Sequence, residues 1–146
     1  MAACHIMTIS ELTEYSVEAF RQIAVLMGQL SRRCVFTQDD LRAVIDSPDS
    51  HLYVCIEDGC IVACATLCVY VSPTGRKASV EDVVVSEECR GCHIGRDLML
   101  YVLEQVRKTA PVEVHLTSRP SRVAANALYR SIGFQKRDTN AYRLVM

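Results

Sequence analysis

Apolar positions spaced by three and four residues set the first element apart. Val17, Phe20, Ala24, Met27 and Leu30 recur at that spacing, which predicts an amphipathic helix over 16–30. Thr37-Gln-Asp-Asp40 places a capping hydroxyl before early acids and predicts a second, short helix ending near Asp46. The pattern then turns β-rich. Leu52 to Ile56 reads as a strand, Asp58-Gly59 as a tight turn, and Cys60 to Val71 as the long second strand of a hairpin. Pro73-Thr-Gly75 breaks the chain before a third strand, Ser79 to Val85. Ile94, Leu98, Val102 and Val106 repeat every four residues and mark a helix from Ile94 to Lys108. Val112 to Thr117 reads as a strand. Ser121 to Ile132 reads as a helix, with Gly133 where a left-handed C-terminal residue is wanted. Phe134 to Val145 is expected to supply one or two closing strands.

This order implies an α/β (α+β) fold, a mixed central sheet with flanking helices. No repeat, low-complexity stretch or Pro/Gly/Ser linker interrupts the chain, so a single domain over 1–146 is expected. Residues 1–6 read as a loose leader, with Met7 as a candidate alternative start.

Composition narrows the function classes. Hydrophobic residues make up 50% and charged residues 23%, a core-forming balance. Net charge is −1, which argues against nucleic-acid or acidic-membrane partners recruited by overall charge. The longest apolar run covers 61–71, well short of the ~20 residues a membrane helix needs. Eight cysteines would suit a secreted disulfide protein, but residues 1–11 lack a basic n-region and a long apolar h-region. The expectation is a reduced, cytoplasmic protein whose cysteines pack as small hydrophobes.

The stretch richest in chemistry is Val80-Glu-Asp-Val-Val-Val85-Ser-Glu-Glu-Cys-Arg90-Gly-Cys-His-Ile-Gly95-Arg. A β-branched strand runs into a short turn and then a helix start. Helix starts expose unpaired N–H groups and the positive end of the macrodipole, which suits phosphate. Gly91 and Gly95 allow close approach to the main chain, and Arg90 and Arg96 add charge. An ordinary strand–helix turn would share these features. The segment is neither a Walker loop nor a G-x-G-x-x-G fingerprint, which disfavours nucleoside triphosphates and NAD.

Val83-Val-Val85 followed by Arg90-Gly-Cys-His-Ile-Gly95 resembles the acyl-CoA motif of the GNAT superfamily of N-acetyltransferases. Arg90 and Gly95 match its Arg/Gln-x-x-Gly-x-Gly/Ala pattern. His93 stands where the first glycine usually falls, a departure shared in kind by members that carry Gln there. Asn126-Ala-Leu-Tyr129-Arg-Ser-Ile-Gly133-Phe134 resembles the family's C-terminal helix. The likeness runs from the first helix to the last strand.

The resemblance implies a sheet whose two parallel strands, Val80–Val85 and Val112–Thr117, splay apart to admit acetyl-CoA. It implies cofactor contacts from Val83, Val84, Val85, Arg90, Gly91, Cys92, His93, Ile94, Gly95, Arg96 and Asn126. The acceptor would be a small-molecule amine, and a homodimer would fit a common habit of the superfamily. No metal is expected. Tyr129 is the candidate general acid, or else a packing residue. Glu81 is the candidate base acting through water, or else an anchor for the substrate amine. Strand alternation places Glu81 in parity with Val83 and Val85, and Asp82 on the other face. His115 is a weaker candidate base.

Substrate signals divide. Gly28-Gln-Leu30 and the 80–91 segment resemble glucosamine-6-phosphate N-acetyltransferases, with Arg32, Arg33, Arg76 and Lys77 as a candidate anion patch. Leu116 to Asn126 resembles generic bacterial small-molecule or peptide acetyltransferases, and a CoA-binding module without turnover stays open. Cys89-Arg-Gly-Cys92-His93 also spells C-x-x-C-H, a haem-attachment signature, or half a zinc or redox site. No export signal and no second cysteine pair accompany it. Cys60, Cys64 and Cys68 recur every four residues and are expected on one buried strand face.

Overall fold

Two helix starts show how local sequence sets local structure. Ser16 Oγ accepts from the amide of Ala19, 3.0 Å away, and opens α1 (Val17–Leu30). Thr37 and Asp40 cap each other reciprocally and open α2 (Gln38–Asp46). The computed structural model describes residues 6–146. Of the expected leader, residues 1–5 lie outside the described residues. The remaining elements are β1 (Met7–Glu11), β2 (Ser50–Glu57), β3 (Cys60–Ser72), β4 (Gly75–Val85), α3 (Ile94–Arg107), β5 (Glu113–His115) and α4 (Val123–Ser131).

The chain divides into two compact units, the first running to Leu116 and the second covering Thr117–Met146. In the first, the strands lie in the order β1-β2-β3-β4-β5. Neighbours are antiparallel except β4 and β5, which are parallel. Asp58 (φ 49°) and Gly59 (φ 80°) make the β2–β3 hairpin turn in the left-handed region, as the Asp-Gly pair predicts.

Helices cover both faces of this sheet. Ile23, Leu26 and Met27 of α1 and Leu41 of α2 pack with Leu52, Val54, Cys64 and Val84. Tyr53 follows the opposite alternation to Val54, and its ring meets Tyr101 of α3 edge-on at 5.7 Å. The inward face of α3, with Leu98, Met99 and Val102 fully buried, therefore lies across the sheet from α1. No helix among the described residues is long and apolar enough to cross a membrane.

Three expectations need correction. The closing strands do not form, since residues 134–146 carry no strand and Tyr142, Leu144 and Val145 are exposed. Six consecutive polar residues, Gln135 to Asn140, offer no alternating apolar face to bury. The strand expected over Val112–Thr117 shrinks to the three residues of β5. The cysteine row also fails. β3 bulges near Val62, because Cys55 faces Ala63 while Ile56 faces Ile61. The extra residue turns Cys60 away from the face of Cys64 and Cys68, and Cys60 is exposed while Cys64 is buried.

Candidate active site

β4 carries the decisive irregularity. Thr66 faces Glu81 and Cys64 faces Val84, so two steps on β3 answer three on β4. The surplus residue is a bulge, and Asp82 takes φ 52° within it. Aspartate tolerates that left-handed region better than most residues. The bulge overturns the expected parity. Glu81 shares a face with Val84, on the α1–α2 side, and Val85 lies opposite with Ala63. Ser79 Oγ donates to Glu81 Oε1 along that face. The Asp82 carboxyl is pushed up by burial and then by Glu81.

Pairing of β4 with β5 stops just before Glu81. It covers Lys77–Ser79 against Glu113–His115 only. Beyond it, the outer edge of β4 has no strand partner among the described residues. The Ser86 amide donates to Val62 on β3, 2.8 Å away, so alternation turns the Val85 main chain outward to that open edge. The Arg90 guanidinium Nε donates to the Val85 carbonyl there at 3.3 Å.

The chain next makes a 3₁₀ turn over Glu87–Cys89, anchored when the Glu87 amide donates to Gln29 Oε1 of α1 at 3.0 Å. Gly91 (φ 82°) and His93 (φ 62°, ψ 11°) both occupy the left-handed region before α3 begins at Ile94. His93 thus adopts the backbone conformation that a glycine would hold more easily. No side chain caps the start of α3, a condition for an anion site at a helix N-terminus. A Cβ built on Gly91 would meet nothing within 4 Å, so its need is for φ rather than space.

In the second unit, Tyr129 is buried on α4, its ring edge-on to Phe134 at 6.1 Å. Burial raises its phenol, opposed by the neighbouring Arg122 guanidinium. Asn126 donates from Nδ2 to the Arg119 carbonyl at 3.0 Å and so ties down the loop before α4. Gly133 takes φ 108° after that helix.

The model of the Acetyltransferase (GNAT) family matches residues 13–134. The chain belongs to this family. No curated protein matches it by sequence. Solved structures agree on the fold at low identity. An aminoglycoside acetyltransferase, meta-AAC0020, from an uncultured soil metagenomic sample superposes with TM-score 0.82 at 17% identity, over 96% of this chain and 97% of that one. Glucosamine-6-phosphate N-acetyltransferase from Arabidopsis thaliana gives 0.79 at 18%, over 95% and 98%. Aminoglycoside N-acetyltransferase AAC(6')-Iy, in complex with CoA, gives 0.80 at 13%, over 99% and 98%.

As a GNAT enzyme, the chain is an acetyl-CoA-dependent N-acetyltransferase. Among its expected site residues, Glu81, Val83 to Val85 and Arg90 to Arg96 fall together where β4 ends and α3 begins. Tyr129 and Asn126 lie in the second unit. Two residues take roles that the sequence did not assign them. Gln29 anchors the turn, and its sign in the sequence was the Gly28-Gln-Leu30 resemblance, which gave it no such role. Asp82 forms the bulge, and an aspartate inside a β-branched run was its sign. His115 Nε2 is shielded from solvent and lies 2.9 Å from Glu113 Oε1, angled off a hydrogen bond.

Proposed function

We propose that the amides at the start of α3, with Gly91, Cys92, His93, Ile94, Gly95 and Arg96, receive the pyrophosphate of acetyl-CoA. The main chain of Val83 to Val85 receives the pantetheine arm along the unpaired edge of β4. The observation that carries this reading is the uncapped α3 start beside a strand edge that β5 leaves open. Arg90 reaches the same edge by donating to the Val85 carbonyl. Asn126 shapes the loop before α4 as the second contributor to coenzyme binding.

Chemistry follows from the two reacting groups. A primary amine has pKa ~10 and arrives protonated, so a base must remove a proton before attack. Glu81 takes that proton through a water; its carboxylate is exposed and held by Ser79 on the α1–α2 face. A main-chain N–H polarises the thioester carbonyl. Tyr129 protonates the departing thiolate, and a raised phenol stays protonated and ready to donate at neutral pH.

The acceptor is a small-molecule amine of the amino-sugar class. Two of the structural relatives are named for amino-sugar substrates, an aminoglycoside and glucosamine-6-phosphate. Lys77 does not serve an acceptor phosphate in this reading, because its ammonium is committed to Ser72 and Thr74 at the hairpin tip. Thiol release from acetyl-CoA, measured with a panel of amino sugars, amino-sugar phosphates and peptide amines, tests the reading. Amino sugars should give the highest kcat/KM. Turnover confined to peptide amines would replace the acceptor class, and coenzyme binding without turnover on any amine would leave a CoA-binding module.

A further inference from the structure

The thiols of Cys89 and Cys92, in the turn before α3, are not used by the acetyl transfer described above. Arg90 (φ −68°, ψ 147°) and Gly91 (φ 82°) hold the central dihedrals of a type II β-turn. Its corners are Cys89 and Cys92. Such a turn brings its corner Cα atoms within about 7 Å, inside or next to the range a disulfide spans. Both thiols are free, Cys92 is exposed and Cys89 is half-buried. Burial pushes the Cys89 thiol up, and Glu57, Cys92 and Glu88 add to the shift. The two cysteines are therefore electrostatic neighbours as well as turn partners. Cys55 lies close enough to feel Cys89, but it is fully buried and burial pushes it up to about 11, so it stays a protonated core thiol.

We propose that Cys89 and Cys92 form a reversible disulfide across this turn, and that closing it weakens acetyl-CoA binding. The inference rests on the reading of the turn as the pyrophosphate cradle. Cys92 is bonded directly to His93, whose left-handed backbone aims the first amides of α3. Drawing Cys92 Sγ onto Cys89 Sγ turns the 92–93 peptide and spoils that aim. Cys92 is the attacking thiol because it is exposed, and Cys89 resolves.

The oxidant is a low-molecular-weight disulfide such as oxidised glutathione. The Cys92 thiolate attacks one of its sulfurs, a mixed disulfide forms, and one glutathione thiolate leaves. Cys89 then attacks Cys92 Sγ, closes the 89–92 bond and expels the second glutathione. Two protein thiols are oxidised, one glutathione disulfide is reduced to two thiols, and both protein protons end on them.

The full chain, incubated with oxidised glutathione, is digested with trypsin and mapped by mass spectrometry. Trypsin cuts after Arg90, between the two cysteines, so only a disulfide keeps the fragments joined. Acetyl-CoA affinity is measured on the same samples by calorimetry, before and after dithiothreitol. The expected result is joined fragments, a Kd raised about tenfold or more, and full recovery on reduction. Cys89→Ser should bind acetyl-CoA when reduced and, with the oxidant, carry at most a glutathione adduct on the Cys92 fragment and never joined fragments, with Cys89→Ala as a second variant should the first fold poorly. Fragments that never join, or a Kd that stays constant when they do, overturn the proposal and leave the acetyltransferase reading intact. Reduced wild-type protein that binds no acetyl-CoA overturns both.

Discussion

His93→Gly should make the protein more stable although it removes a whole side chain. His93 sits at φ 62°, ψ 11°, its imidazole caps nothing, and it is exposed. Removing the ring therefore forfeits little burial and no capping bond. Relief of the left-handed backbone is worth about 1–2 kcal/mol for a residue with a Cβ. Glycine's extra freedom in the unfolded chain takes back about 0.4–1 kcal/mol. The balance is a gain of up to about 1.6 kcal/mol, centred near 0.8 kcal/mol, and the central value is roughly 2–4 °C in Tm for a chain of this length. Urea unfolding with an unchanged m-value measures it. His93→Val, β-branched at the same φ, should lose stability instead. If glycine cost about 1 kcal/mol or more, His93 would not hold a strained left-handed backbone.

Other outcomes follow from the same geometry. Tyr129→Phe should lower kcat about 10²-fold or more with a smaller effect on coenzyme affinity, and an unchanged rate would remove its acid role. Because burial raises the folded-state phenol, Tyr129 lends stability below its unfolded pKa of ~10 and withdraws it as pH rises through the higher folded value. Unfolding of wild type against Tyr129→Phe between neutral and strongly alkaline pH should show a larger loss in wild type, since Tyr53, also raised by burial, titrates in both. Leu98→Ala, at a fully buried position of α3, should cost about 2–5 kcal/mol in chemical denaturation. Thr37→Ala removes the reciprocal cap of α2 and should cost about 1 kcal/mol, with little effect on turnover.

What could be read from the sequence follows the range of the forces involved. Helix starts at Ser16 and Thr37 and the Asp58-Gly59 turn depend on neighbours within four residues, and they stand where pattern and capping chemistry place them. The turn before α3 is legible for the same reason, since a strand, two glycines and a helix start are contiguous. Bulges are not, because pairing between strands creates them. One near Val62 moved Cys60 off the cysteine face, and the other moved Glu81 into line with Val84. Strict alternation along a single strand cannot register either event. The strands expected after Phe134 failed differently, because the polar run Gln135 to Asn140 leaves that segment no apolar face to bury. Glu81 stands out as a candidate by residue type and position, and only the register shows which face it takes.

Calorimetric titration of acetyl-CoA into the reduced protein tests the central claim most directly. Saturable binding of one acetyl-CoA per chain, weakened about tenfold or more by Arg90→Ala, is the predicted result. Absence of binding, or binding indifferent to Arg90, would contradict the assignment of the turn before α3 as the coenzyme site.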